Sequence, residues 1–325
     1  MLSPGRFRYI DNAKGIAILL VVFRHGVTQF ADIMSIETFV RIKQVTSLFD
    51  MALFFFFSGI TFGISLSKRA SPHSTHTLIR TKIFRLIPSY TAVATIIATV
   101  VYLVNKLGAG IDKMQFYSSP FYYYVIRPEE ATAQFLWFIY VLLLLYIVCS
   151  ILLYRSNVLD LILLLLSFGA MFLNISSYFA FDKFCHYFFF FSAGCIVYKK
   201  HDSFLWLLDK YRLGWIIASI LFLLIFQSAH WTIFSMVSIL AVANVSRIHF
   251  LQTNTMLGDL GQRSFSIYLF NLFVLAGAKY LLLLFGFRLE YDIIWFGLFV
   301  VSAVLLPYWF KTLALSRTTL LDPYF

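Results

Sequence analysis

Ten apolar runs follow one another along the chain, at about 15–33, 48–66, 86–105, 134–154, 158–177, 183–198, 213–228, 231–246, 264–284 and 293–311, and the stretches between them hold most of the charge. An α-helix rises about 1.5 Å per residue, so about 20 apolar residues cross the hydrocarbon core of a bilayer. The runs have roughly that length, and they lack the period-two alternation of a transmembrane strand. The pattern predicts an all-α fold, a polytopic transmembrane helix bundle of about ten spans. Composition agrees, with 61% of residues hydrophobic and 13% charged, where soluble domains are about 45–50% apolar. No Ser/Gly linker, low-complexity tract or soluble domain interrupts the runs, so residues 1–325 read as a single integral membrane domain. The first run is full length and carries charge in its middle, which predicts a permanent span rather than a cleaved signal.

Charge then orients the bundle. The net charge of +11 would suit a nucleic-acid partner if it covered a soluble face, but the basic residues are gathered in short segments instead. Arg6, Arg8 and Lys14 precede or open the first run; Lys68, Arg69, Arg80, Lys82 and Arg85 follow the second; Lys199, Lys200, Lys210 and Arg212 follow the sixth. The positive-inside rule places these segments and both termini in the cytoplasm. The 106–133 segment, with Glu129 and Glu130, then faces outward, and no nucleic-acid partner is expected. Cys149, Cys185 and Cys195 all fall in apolar runs, odd in number and without zinc-type spacing, which predicts neither a disulfide nor a metal site.

The first run holds the candidate chemistry. In KGIAILLVVFRH, residues 14–25, a lysine opens the apolar stretch and an arginine and a histidine close it at the depth of the membrane. Lys14 and His25 are eleven residues apart, about 16 Å along a helix, and nearly on one face. Asp11 and Asp32 fall near that face, while Arg24 is turned from it by about a quarter turn. Ionisable groups at depth must face a partner or a cavity, so the stripe is a candidate site, and the adjacent Arg24 and His25 need separate partners. The structural alternatives are an interhelical hydrogen bond for His25 and a snorkelling anchor for Lys14.

At this point the chain resembles a known family. YIDNAKGIAILLVVFRH resembles the first span of the membrane acyltransferase family 3 proteins, whose signature is a basic residue, ten intervening positions and a histidine, here Lys14 and His25. LFFFFSG (53–59), KIFRLIPSY (82–90), LWFIYVLLLLY (136–146), FFFFSAG (188–194) and LGQRSFSIYLFN (260–271) resemble further segments of that family, in the same order and over almost the whole chain. Many members carry a histidine where this chain has Asn271. An amide cannot shuttle a proton, so only hydrogen bonding carries over to that position.

The resemblance implies an integral protein of a bacterial inner membrane that acts as an O-acyltransferase. The expected reaction moves an acyl group, commonly acetyl, from cytoplasmic acyl-CoA, the acetyl-CoA donor serving in place of any bound cofactor, to a hydroxyl of an envelope, exported or lipid-linked carbohydrate. Such a reaction needs a base for the hydroxyl proton, or one that activates a nucleophile for an acyl-enzyme, and His25 is the candidate. Its orienting acid must come from another helix, since Asp11 lies about 21 Å away along this one and Asp32 about 10 Å. Coenzyme A carries phosphates at one end and its thioester at the other, so cations at the rim, Lys14, Lys82 and Arg85, are the candidate donor-binding set. Lys82 and Arg85 share a helix face, with Pro88 close behind, and positive-inside bias is their alternative reading. Ser58 and Gly59 read as a close helix contact, and Trp137 as either a sugar-stacking ring or a member of the interfacial aromatic belt. The rival function is a transporter or flippase of a lipid-linked sugar, which should show paired broken helices in repeated halves. A noncatalytic scaffold is a third reading.

Overall fold

The computed structural model of the chain describes residues 7–31, 37–67, 72–106, 122–131, 133–153, 156–226, 231–253, 255–285 and 292–310, and among them there is no strand. The helices in chain order are α1 (Arg8–Phe30), α2 (Glu37–Ser47), α3 (Asp50–Ser67), α4 (Pro72–Lys106), α5 (Trp137–Leu152), α6 (Asn157–Ala170), α7 (Phe181–Lys199), α8 (His201–Lys210), α9 (Arg212–Phe226), α10 (Trp231–Val245), α11 (His249–Thr253), α12 (Thr255–Gln262), α13 (Ser264–Phe285) and α14 (Asp292–Phe310). A π-helical turn (Tyr122–Ile126) and two 3-10 turns (Gln134–Leu136 and Tyr178–Ala180) complete the regular structure. Arg6, Asp32, Lys68, Arg69 and the two termini lie outside the described residues.

Every apolar run overlaps a helix, but the helices are not uniform. Among the described residues, six helical stretches, Arg8–Phe30, Phe39–Ser67, Thr75–Leu103, Gln134–Leu152, Ser264–Leu282 and Ile293–Phe310, are long and apolar enough to cross a membrane. Three apolar helices are shorter, namely α6, the Arg212–Phe222 part of α9, and α10. Helix α6 shows why a run and a helix can differ in length. Its start is set by the Ser156 hydroxyl, which accepts from the Leu159 amide at 3.1 Å, and it ends at Ala170, ahead of the polar Asn174, Ser176 and Ser177. Helix α4 differs the other way. It opens on Pro72, whose missing N–H costs nothing at a first helical position, and runs through the basic segment that hydropathy left outside the 86–105 span. Many apolar side chains on α6, α9 and α14, such as Leu165, Leu224 and Ile293, are exposed. The apolar helices and their exposed faces are those of an integral membrane protein.

The chain divides into two compact units. The first comprises Met1–Ser58 with Lys200–Asp322 and the second Gly59–Lys199. In the first, α1 is the central helix, packed against α2, α10, α12, α13 and α14. Its core face buries Ala13, Ala17, Ile18, Val21, Val22, Val27 and Phe30. The crossing of α1 with α12 is backbone against backbone: a Cβ on Gly15 would collide with the Leu257 carbonyl oxygen, and one on Gly261 with the Asp11 carbonyl oxygen. The Asn12 amide adds a polar tie by donating to the carbonyls of Ser246 at 3.1 Å and Leu251 at 2.9 Å. Phe7 and Tyr9 at the start of α1 pack on the His201 ring of α8, with centroids 4.1 and 5.9 Å away.

In the second unit, Phe62 of α3, Tyr146 of α5 and Phe191 of α7 form an aromatic core, with centroids 4.7 to 5.8 Å apart. The two Phe-rich segments meet here. Gly59 lies against the Phe191 backbone so closely that a Cβ would strike its carbonyl oxygen. Helices α6 and α7 are joined by the Asp160–Lys199 ion pair and by the Ser167 and Ser192 hydroxyls, 3.1 Å apart. Cys149, Cys185 and Cys195 are buried, and none of them is in a disulfide among the described residues.

Candidate active site

Helix α1 is continuous from Arg8 to Phe30, so Lys14 and His25 do share its length and lie near one face. The two adjacent basic residues at its deep end reach different helices. His25 Nδ1 lies 2.8 Å from Oδ1 of Asn271, a fully buried residue of α13. Arg24 Nε lies 2.6 Å from Oδ2 of Asp50, a fully buried residue at the first position of α3. The requirement for separate partners is met by two helices far apart in sequence.

The hydrogen bond to Asn271 defines the state of the imidazole. The Asn271 amide nitrogen donates to the carbonyl oxygens of Ile267 at 2.9 Å and Tyr268 at 2.7 Å. Those two bonds turn the amide oxygen toward His25. An amide oxygen only accepts, so Nδ1 must carry a ring proton, and in the neutral ring the lone pair is on Nε2. The orienting group is thus an amide rather than an acid, and it sits at the position where proton shuttling is ruled out by chemistry. The buried Tyr268 ring lies 6.4 Å from the imidazole, centroid to centroid.

Asp50 compensates Arg24. One carboxylate oxygen meets the guanidinium and the other accepts from the Met51 amide at 2.6 Å, at a helix start where the backbone dipole favours negative charge. Neither Asp50 nor Tyr268 was singled out in the sequence. The signal for Asp50 is its position, a lone carboxylate opening an apolar run, which demands a cationic partner. Tyr268 carries no such signal in a Phe- and Tyr-rich chain.

At the other end of α1, Asp11 is buried and its Oδ2 accepts from Gln262 Nε2 of α12 at 3.4 Å. Asp11 therefore belongs to the α1–α12 junction. Lys14 is half-buried beside Gly15, where α12 crosses. The other candidate cations are in the second unit. Lys82 Nζ of α4 lies over the Tyr146 ring, 5.0 Å from its centroid, and Arg85, three residues on, is near enough to act electrostatically on the same tyrosine. Ser89 donates to the Arg85 carbonyl at 2.8 Å, next to the Pro88 that removes one donor from the helix. Ser58 is buried in α3, and Trp137, the first residue of α5, stacks on Tyr187 of α7 at 5.6 Å with the rings 19° from parallel. Lys14 and the Lys82–Arg85 pair are thus described in different units. Among the described residues, no group of three or more His, Cys, Asp and Glu side chains is placed to hold a metal ion.

In its neutral form the His25 imidazole has its lone pair on a defined nitrogen and, with a charge-compensated arginine beside it, can take and return one proton. That is the capacity that transfer of an acyl group to a hydroxyl requires. A family model described as an acyltransferase domain matches residues 7–312. Among curated proteins and solved structures, none matches the chain.

Proposed function

The chain belongs to acyltransferase family 3, and from that premise we propose that this acyltransferase moves an acetyl group from cytoplasmic acetyl-CoA to a hydroxyl of an envelope, exported or lipid-linked carbohydrate. Acyl transfer is the activity of the family; the donor, the acceptor and the roles of individual residues are our reading. So are its placement in a bacterial inner membrane and the cytoplasmic position of both termini.

His25 is the general base in this reading. The supporting observation is the 2.8 Å contact of Nδ1 with Asn271 Oδ1, which leaves the basic lone pair on Nε2. Nε2 takes the proton as the acceptor oxygen attacks the thioester carbonyl. The new C–O bond forms, the C–S bond breaks, and the proton passes to the departing thiolate. Asn271 Oδ1 continues to accept from Nδ1 throughout, so the ring does not rotate between the two transfers. The imidazolium that forms between them lies beside an arginine already paired with Asp50, rather than beside an uncompensated cation. Lys14 supplies charge to an anionic part of the donor at the cytoplasmic rim, and Lys82 with Arg85 serves the same purpose.

The test is direct. Purified protein in liposomes, given acetyl-CoA with a labelled acetyl group and a crude glycan fraction, should pass label to the glycan and release coenzyme A in equal amount. Transport of a lipid-linked sugar without release of coenzyme A would overturn the proposal.

A further inference from the structure

Helix α4 turns its basic residues two ways. Lys82 lies over the Tyr146 ring and Arg85 acts on the same tyrosine, so this pair faces α5. Arg80 is about 200° round the helix from Lys82 and about 140° from Arg85, which aims it away from that contact. Arg80 is exposed, as is His76 one turn before it, and no carboxylate among the described residues pairs with Arg80. The proposed donor contacts therefore use one side of α4 and leave a second basic side unused.

A groove of about 320 Å³ follows that second side, lined by His76, Ile79, Arg80, Ile83 and Phe84. Helical spacing puts these five residues on one stripe. The stripe changes character along its length: His76 and Arg80 hold the first turns, and the exposed Phe84 and Ile87 follow them toward the apolar 86–105 run. Arg80 also lies close to one end of Thr75–Leu103, the stretch of α4 long and apolar enough to cross a membrane, which is the depth of lipid headgroups. Its guanidinium lies over the Phe84 ring, 5.4 Å from the centroid. A guanidinium stacked on a ring keeps its N–H edge for an anion, and two parallel N–H bonds match two phosphate oxygens.

Charge and hydrocarbon are thus set four residues apart, about 6 Å along the helix, the order in which a phospholipid presents its phosphate and its acyl chains. A free phosphate would gain nothing from Ile79, Ile83 and Phe84, and a zwitterionic lipid would bring a cation of its own to Arg80. We propose that this groove binds one anionic phospholipid, its phosphate on Arg80 with His76 beside it and an acyl chain along Ile83 and Phe84. Basic residues beside a span attract the anionic lipids of the cytoplasmic leaflet; here the apolar lining adds a place for the chain. Such a site requires that α4 cross the membrane and is independent of acyl transfer.

Binding can be read at the groove itself. In a background with Cys149, Cys185 and Cys195 replaced, Thr81→Cys, exposed and next to Arg80 in the helix, would carry a fluorophore on the full-length chain purified in detergent. Phosphatidylglycerol and phosphatidylcholine, each brominated in the acyl chains, serve as quenchers. Phosphatidylglycerol should reach half-quenching at a concentration about tenfold lower or better. Arg80→Ala should abolish that preference, Arg80→Lys should keep part of it, and Phe84→Ala should weaken quenching by phosphatidylglycerol. Arg80→Gln, which keeps length without charge, should behave as alanine does and carries the test if Arg80→Ala lowers the yield of folded protein. The site is wrong if the two lipids quench alike, or if the preference survives in the uncharged Arg80 variants. It is also wrong if inorganic phosphate or acetyl-CoA displaces phosphatidylglycerol from the parent, since the groove would then take a free anion or the acyl donor.

Discussion

At the scale of single residues, the informative contact is the one between His25 and Asn271, because it fixes the tautomer of a half-buried ring. His25→Ala should abolish acyl transfer, since a general base contributes about 10²–10⁴-fold to the rate. Asn271→Leu, nearly isosteric, removes the acceptor for Nδ1–H and should lower kcat by about 10–100-fold with the donor KM unchanged. Asn271→Asp retains an acceptor oxygen and should lose less. A merely structural Asn271 would instead lower the yield of folded protein and leave kcat per folded molecule alone, so the measurement is kcat and KM on purified, quantified variants. Lys14 separates differently. As a donor contact, Lys14→Ala and Lys14→Gln should raise the acetyl-CoA concentration for half-maximal rate about tenfold or more, and Lys14→Arg should preserve it. An unchanged requirement in Lys14→Ala would remove Lys14 from the site. Lys14, Arg24 and His25 were legible because ionisable groups in an apolar helix are conspicuous. Asn271 was marked through the resembling segment as a hydrogen-bonding position but not as the partner of His25, and Asp50 was not marked, since helical geometry fixes which residues share a face but not which distant helix meets it.

At the scale of elements, the same limit explains what hydropathy found and missed. Apolar runs mark helices that need lipid or core on most sides, and each of them overlaps a helix. Helices α2, α8, α11 and α12 carry no such run, and α12 was visible only as a resembling segment, although its Gly261 and the Gly15 of α1 set the closest crossing in the first unit. A glycine pair of this kind is read from sequence only when the partner helix is known. The link between α1 and α3 is electrostatic and can be tested as such. Asp50 is fully buried, and removing one partner of a buried ion pair costs about 3–5 kcal/mol because the remaining charge is uncompensated. Asp50→Asn should therefore lower the melting temperature of the purified protein markedly, and Asp50→Leu combined with Arg24→Leu should recover most of the loss. Equal melting of Asp50→Asn and the parent would show that the pair contributes little. Failure of the double variant to recover would show that each side chain acts through other contacts.

At the scale of the whole molecule, the question is which way the chain faces, because the proposed donor, acyl-CoA, is supplied from one side only. Helix α4 supplies the handle. It has 35 residues, about 52 Å at the usual rise, against a hydrocarbon core of about 30 Å. If the 86–105 part, which alone is long enough to cross, is the span, the first turns, with the exposed His76 and Arg80, project beyond the core on one side. Those turns also carry Lys82 and Arg85, and a cluster of cations beside a span favours the cytoplasm. A single crossing along 86–105 would bring the exposed Gln134, ahead of α5, to the other side. In a background with Cys149, Cys185 and Cys195 replaced, His76→Cys should resist a membrane-impermeant maleimide in intact cells and react after permeabilisation. Gln134→Cys should react in intact cells. The reverse pattern would turn the basic end of α4 away from the coenzyme A pool. Lys82 and Arg85 could then not contact the donor, and their charge would need another explanation. If the expected pattern is found, the outer side holds the start of α5, and with it Trp137, where an exported glycan rather than acyl-CoA is within reach.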